Sequence, residues 1–331
     1  MDWTLIFNST FSAIFSLEAA VFVLAAMGLN VHYGYTGLLN FGQVGFMAAG
    51  AYGIVISSTQ FGWGLWAGIA FGLALSVVFA LLLGLPTLRL RGDYLAIVTI
   101  AFGEIVRLVV SSEKLEDVTG GGTGTTIQAD AFYRHNPFEG GRFYQLGPFK
   151  YQGTRLWTMI FAWALVVAFA VVTWLLMRSP WGRVLKSIRE DEIAARALGK
   201  NVYAYKMQSL VLGGVMGAVA GIVQSVGYQA VTPDRFTRNY TFLAYTALIL
   251  GGAARVKGPI IGGMIFWTLF VFVDQFVNGL VRADLIPDWL MNTDQAGLVS
   301  FMVLGIALMV LPVYRPQGIF GSRRELEMET R

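Results

Sequence analysis

SIREDEIAARALGKN, residues 187–201, is polar, charged and rich in helix-favouring residues, with long apolar segments on both sides. Its setting decides the fold. Hydrophobic residues make up 56% of the 331, mean hydropathy is +0.61, and only 13% are charged. An ordinary soluble domain is about one quarter charged. Apolar runs of roughly twenty residues, the length that crosses a bilayer as a helix, recur along the chain. Strands of a membrane barrel would read instead as short alternating segments. The expected class is therefore all-α: a polytopic integral membrane helix bundle forming a single domain, 1–331. The 39 glycines fit, because membrane helices use small residues to approach closely.

The apolar runs predict nine spans, within a range of eight to ten, at 11–30, 36–57, 63–85, 94–111, 156–177, 207–228, 241–254, 258–281 and 296–313. The second holds Asn40, Gln43 and several glycines, and reads as broken or re-entrant. The seventh is short for a crossing. Such segments mark irregular backbone beside a polar cavity. Basic residues set the orientation. If 178–206 is cytoplasmic, 86–92, 254–257 and the tail 314–331 join it, and together they carry 15 of the 24 Lys and Arg. Segment 112–155 is then external, as is the N-terminus. The start, MDWTLIFNST, has no basic region before its apolar run, so no cleaved signal peptide is expected.

The cytoplasmic loop reads MRSPWGRVLKSIREDEIAARALGKNVYAYK. Pro180 and Gly182 break the preceding helix. A short helix is expected from Glu190, with Glu190, Asp191 and Glu192 favouring its positive end and Gly199 terminating it. Glu192 and Arg196 stand at i,i+4. At about 100° per residue, Ile193, Ala194, Ala197 and Leu198 share one arc. Asp191, Glu192 and Arg196 hold the other, with Ala195 at its edge. A membrane-surface helix would carry larger apolar and more basic residues. Periodicity leaves two readings: a helix gripped by a protein groove, or a solvated helix packed on its own bundle.

The run EIAARALG, residues 192–199, resembles the EAA loop of ABC importer permeases, and IREDEIAARALG looks like the branched-chain amino acid permease family of the LivM type. Relative to the broad EAA pattern the Glu is displaced by one, to Glu192. GYTGLLNFGQVGFMAAGAY (34–52), LRLRGDYLAIVTIAFGEIVR (88–107), VTGGGTG (118–124) and GGAARVKGPIIGG (251–263) are similar to other segments of that family. In the glycine loop Thr125 follows Gly124 where the family has Gly-Leu. The resemblances run in order from about residue 20 to 315.

The resemblance implies an importer subunit in a prokaryotic inner membrane. A LivH-like second permease or a homologous copy would pair with it, and two cytoplasmic ATPases would hold ATP and Mg. An external binding protein would deliver leucine, isoleucine or valine. The EAA helix, 190–199, would be the element that docks on the ATPase. No cofactor is expected in this chain, and no catalysis. The residues agree on one point: no G-x-x-x-x-G-K-[ST] phosphate loop is present. Gly121, Gly122, Thr123 and Gly124 read as either a flexible external turn or a gate. Other amino acids, urea or short amides remain alternative cargoes, and an ion-coupled carrier is the rival class.

Ionisable residues inside spans are functional candidates by default: here Glu18, Glu104, Arg107 and Asp274. Glu104 and Arg107, at i,i+3, can pair locally. Asn40 and Gln43 either line a pathway or bond between helices. The rows Gly213, Gly217, Gly221 and Gly45, Ala49, Gly53 mark close packing within the bundle or at a permease dimer. His32 and His135, with no Cys in the chain, make a poor metal site. The positive net charge of +4 fits cytoplasmic loops better than nucleic acid. His135 lies in RHNPFEGGRFYQ (134–145), a polar external stretch that reads as a solvated loop or a binding-protein dock.

Overall fold

The computed structural model describes residues 3–89, 92–146, 149–283, 293–314 and 318–319. Most of the remaining tail of 314–331 lies outside them. The described chain is a helix bundle. In order its helices are α1 (Trp3–Ala13), α2 (Leu17–Leu29), α3 (Gln43–Phe61), α4 (Leu65–Thr87), α5 (Gly92–Val110), α6 (Glu116–Thr119), α7 (Asp130–Tyr133) and α8 (Gly153–Arg178). There follow α9 (Pro180–Glu190), α10 (Glu192–Ala197), α11 (Val202–Tyr228), α12 (Arg238–Gly251), α13 (Lys257–Arg282) and α14 (Thr293–Tyr314). Two small antiparallel ribbons complete it. β1 (Thr125–Thr126) pairs with β4 (Ala230–Val231), and β2 (Phe143–Leu146) with β3 (Phe149–Gln152).

Among the described residues six helices are long and apolar enough to cross a bilayer alone: α2 with its continuation to Tyr35, α3, α4, α8, α11 and α13. The chain from Tyr94 to Thr119 makes a seventh candidate, bent by 61°, so the described residues show six or seven candidate spans where nine were expected. α12 is short, as expected: its 14 residues reach about 21 Å at 1.5 Å each.

Two expected spans are corrected. The first does not run 11–30. A turn at residues 14–16 ends α1, Ser16 caps α2 by accepting the Ala19 N–H at 3.2 Å, and the span continues through a π-helical turn, Asn30–Tyr35. The second does not start at 36: residues 37–42 are non-helical, and α3 begins at Gln43. Hydropathy sees neither break, because both are flanked by apolar residues.

Contacts sort the loops into two ends. Tyr203 donates to the Leu85 carbonyl, Arg189 to the Gly34 carbonyl, and Asn30 to the Arg255 carbonyl. That gathers the chain at 85–89, 178–206 and 254–257 at one end. At the other, Thr59 donates to the Val118 carbonyl and Tyr228 to Glu18.

α2, α3 and α11 form the centre: at least 72% of each spanning window is buried, against at most 33% for α4, α8 and α13. The small-residue rows explain the closeness. A Cβ at Gly213 would strike the His32 ring, one at Gly217 the Gln43 amide, one at Gly221 the Met47 carbonyl oxygen, and one at Gly53 the backbone of Gly72. Gly45 faces Phe102. Both rows therefore pack within this chain: α11 against α2 and α3, and α3 against α4 and α5.

Candidate functional site

The hydrophilic insert folds as two helices. Pro180 occupies the first turn of α9, where its missing N–H costs nothing. α9 buries Leu185 beside Tyr35 and Met177, and Ile188 beside Ala195 and Val202. The expected start at Glu190 is corrected: Glu190 ends α9, and extended Asp191 separates the helices. The Asp191 carboxylate accepts the N–H groups of Ile193 (2.8 Å) and Ala194 (3.0 Å), an N-cap that fixes the start of α10. At the other end Gly199 adopts φ +75°. Its N–H donates to the Arg196 carbonyl at 3.0 Å and that of Lys200 to Ala195 at 3.3 Å, a Schellman closure.

Two attachments hold α10. Ala195, 2% exposed, is its buried contact with Ile188 and Val202, although helical periodicity puts it at the edge of the polar face. Glu192 accepts from Arg196 (2.9 Å) and from Lys206 of α11 (2.5 Å). The apolar arc is not used by the bundle: Ile193 is 77% and Leu198 78% exposed, and Ala194 and Ala197 are exposed too. So this helix is pinned from behind and presents Ile193, Ala194, Ala197 and Leu198 outward.

The second cluster lies at the bundle centre, where the backbone between α2 and α3 is irregular. His32, Asn40 and Gln43 are fully buried. The Asn40 amide donates to His32 Nδ1 (3.0 Å), so the other ring nitrogen carries the proton and donates to the Leu210 carbonyl (3.1 Å). The Asn40 amide also reaches Gln43 Oε1 (3.4 Å), and its oxygen accepts the Gly42 N–H (2.9 Å). Gln43 donates to the Gly213 carbonyl (3.0 Å). Hydroxyls from other helices satisfy the freed backbone: Thr99 accepts from Phe41 N–H, Thr241 from Val44 N–H, and Tyr245 bonds both the N–H and carbonyl of Asn40. Buried backbone groups outside a regular helix need such partners. Asn40 and Gln43 thus bond between helices. Sequence reading missed His32 as the hub and Tyr245 as the clamp. The proximity of His32, Asn40 and Gln43 along one glycine-rich stretch of sequence was the available signal.

The intramembrane charges have near neighbours. Arg107 donates to Glu104 through Nη2 (2.6 Å) and Nε (3.1 Å), the expected local pair. Asp274 accepts from Asn278 one turn on (3.1 Å). Glu18 accepts from Tyr228 of α11 (2.6 Å). His135 Nδ1 donates to the Ala131 carbonyl one turn back (3.0 Å), and among the described residues no cluster of His, Asp and Glu could hold a metal. In the glycine loop, Gly121 and Gly124 have φ of +55° and +77°, values that favour glycine. A Cβ at Gly124 would also strike the Val231 carbonyl, whereas Gly122 stands in open space. The loop packs under the β1–β4 ribbon with Gly122 and Thr123 exposed.

An apolar bundle with an internally hydrogen-bonded break at its centre, and a rigid helix offering an unused apolar face at one end, is built as a membrane transport subunit. The chain belongs to the family described as branched-chain amino acid transport system permease components, whose model matches residues 12–311. It is 30% identical over 314 residues to the high-affinity branched-chain amino acid transport system permease protein LivM of Salmonella typhimurium, covering 92% of this chain and 68% of that one. LivH of the same organism is 30% identical over 162 residues, about half of each chain (49% and 46%). The guanosine ABC transporter permease NupQ of Bacillus subtilis is 25% identical over 251 residues, 70% of this chain and 72% of that one.

Proposed function

We propose that this chain forms part of the translocation pathway for leucine, isoleucine and valine in an ATP-driven importer of a prokaryotic cytoplasmic membrane. Its partners are a LivH-like permease or a second copy, two ATPases that carry ATP and Mg, and an external binding protein. The observation that carries the reading is α10: capped at Asp191, closed at Gly199, and offering Ile193, Ala194, Ala197 and Leu198 to solvent at the basic end. A loop helix serving only its own bundle would turn that arc inward. The small side chains suit a close-fitting groove, and relatives are named as permeases of branched-chain amino acid transport systems and of an ABC transporter.

The test is reconstitution with the ATPases and the binding protein. Labelled leucine should accumulate only with ATP and should be lost when this subunit is omitted. Accumulation of a nucleoside but not of leucine would favour the cargo named for NupQ and sink the substrate assignment while leaving the architecture standing. Uptake that follows an ion gradient without ATP would favour a carrier.

A further inference from the structure

At the end opposite α10, a cavity of about 360 Å³ opens among α2, α11, α12, α13 and α14, within the size range of small-ligand pockets, roughly 300–1,000 Å³. One wall is aromatic. The Phe22 ring stacks on Tyr240 (4.3 Å between centroids) and on Trp267 (5.2 Å), Trp267 stacks on Phe270 (5.2 Å), and Phe270 meets Phe301 (5.1 Å). The rim carries both signs of charge: Glu18, Asp234 and Arg235. Arg235 lies 3.9 Å over the Tyr228 ring and forms no ion pair among the described residues. Between rim and wall stands Gln224. It is 7% exposed, lines the cavity, and its Oε1 has no hydrogen-bond partner among the described residues. Buried amide oxygens are almost always satisfied, and no donor of the described chain reaches this one.

We infer that the cavity binds a small zwitterionic α-amino acid with an apolar side chain. The ammonium group donates to Gln224 Oε1 and the Glu18 carboxylate, the Arg235 guanidinium takes the carboxylate, and the side chain lies on the Phe22–Trp267–Phe270 wall. A purely apolar ligand would leave Gln224 unpaired, and a simple anion would meet Glu18 and Asp234. The site lies beside the β1–β4 ribbon, the end at which a binding protein would release cargo, and this inference rests on the importer reading. A phosphatidylethanolamine headgroup combines the same ammonium, anion and apolar chain, so the lipid is made a variable of the test.

The intact importer complex is reconstituted in phosphatidylcholine vesicles, with and without phosphatidylethanolamine, lacking ATP and the binding protein. Binding of labelled leucine is measured against unlabelled leucine, leucinamide and 4-methylpentanoate. Saturable binding is expected, with leucinamide and 4-methylpentanoate each at least tenfold weaker competitors than leucine. Gln224→Leu and Arg235→Gln should each weaken binding at least tenfold in complexes that still assemble. Equal competition by all three compounds, no saturable binding, or unchanged binding in both variants would overturn the site. Loss of binding on adding phosphatidylethanolamine would overturn it in favour of the lipid. ATP-driven leucine uptake is scored separately: uptake without this binding sinks the cavity alone, and binding without uptake sinks the importer reading.

Discussion

Replacing Ile193 and Leu198 together by Ala tests the docking face without touching the fold. Each change removes three carbons, and burial is worth about 0.8 kcal/mol per methylene, so full burial of both in a groove would be worth about 5 kcal/mol. Only part of a gross burial gain appears as affinity, because association itself is costly. Taking half, the double variant should weaken ATPase binding by about 2.4 kcal/mol, roughly fiftyfold at 1.4 kcal/mol per decade. The permease should not notice: both side chains are more than three-quarters exposed, and substitutions at such sites change stability by about 0.5 kcal/mol or less. Ala195→Leu is the contrasting control. It forces bulk into the 2%-exposed contact with Ile188 and Val202, so it should lower stability by about 1–3 kcal/mol. The assay is titration of purified permease with its ATPase alongside a thermal unfolding scan. Docking at α10 is refuted if the double variant binds the ATPase normally and supports normal uptake.

Three other perturbations separate parts of the structure. Gly221→Ala should lower the unfolding temperature, because its Cβ meets the Met47 carbonyl, while Gly122→Ala, in open space, should leave it unchanged; equal effects would contradict the tight α3–α11 contact. Asn40→Leu should cost about 1–3 kcal/mol, the price of leaving the His32 and Gly42 partners unpaired, read as a fall in denaturation midpoint; no change would mean the network is not formed in the membrane. Lys206→Met should leave ATPase binding near normal, because the arc is intact, but reduce the uptake obtained per ATP hydrolysed; an unchanged ratio would show that the Glu192–Lys206 link transmits nothing.

The membrane class, the short α12, the Glu104–Arg107 pair and the Gly199 stop were legible in the sequence because each rests on local composition or spacing. The start of α10 was misplaced by two residues. Three acids in a row all suit a helix N-terminus, and only backbone geometry reveals that Asp191 is the cap while Glu190 closes the preceding helix. Ala195 was misassigned because periodicity describes an isolated helix. Once Ile188 and Val202 flank it, the smallest side chain on the inner side becomes the contact. The choice between internal and dimer packing for the glycine rows depended on which partner lies within a few ångströms, and no spacing rule contains that. The central network joins residues up to 205 positions apart, Asn40 with Tyr245, which a single sequence does not connect.

The two clusters are joined through a chain of contacts, the link that the proposed docking of α10 would need. α10 reaches α11 through Glu192–Lys206 and α9 through Ala195 against Ile188. α9 in turn bonds the π-helical turn, with Arg189 donating to the Gly34 carbonyl at 2.7 Å. α11 presents the Leu210 and Gly213 carbonyls to His32 and Gln43. A displacement of α10 by a closing ATPase pair would therefore load both sides of one element, the irregular segment between α2 and α3. A ligand shifts an equilibrium only through contacts that differ between its states, and these bonds can differ. Residues 37–42 are held by side-chain hydroxyls of Thr99 and Tyr245 rather than by a helical ladder, so their partners can exchange without breaking a regular helix. Small residues along α11 let it lie against α3 with backbone close to backbone. If α10 docks on an ATPase as proposed, force applied there would converge where the fold departs from regular geometry, so residues 30–43 are the segment expected to differ between the two states of the transport cycle.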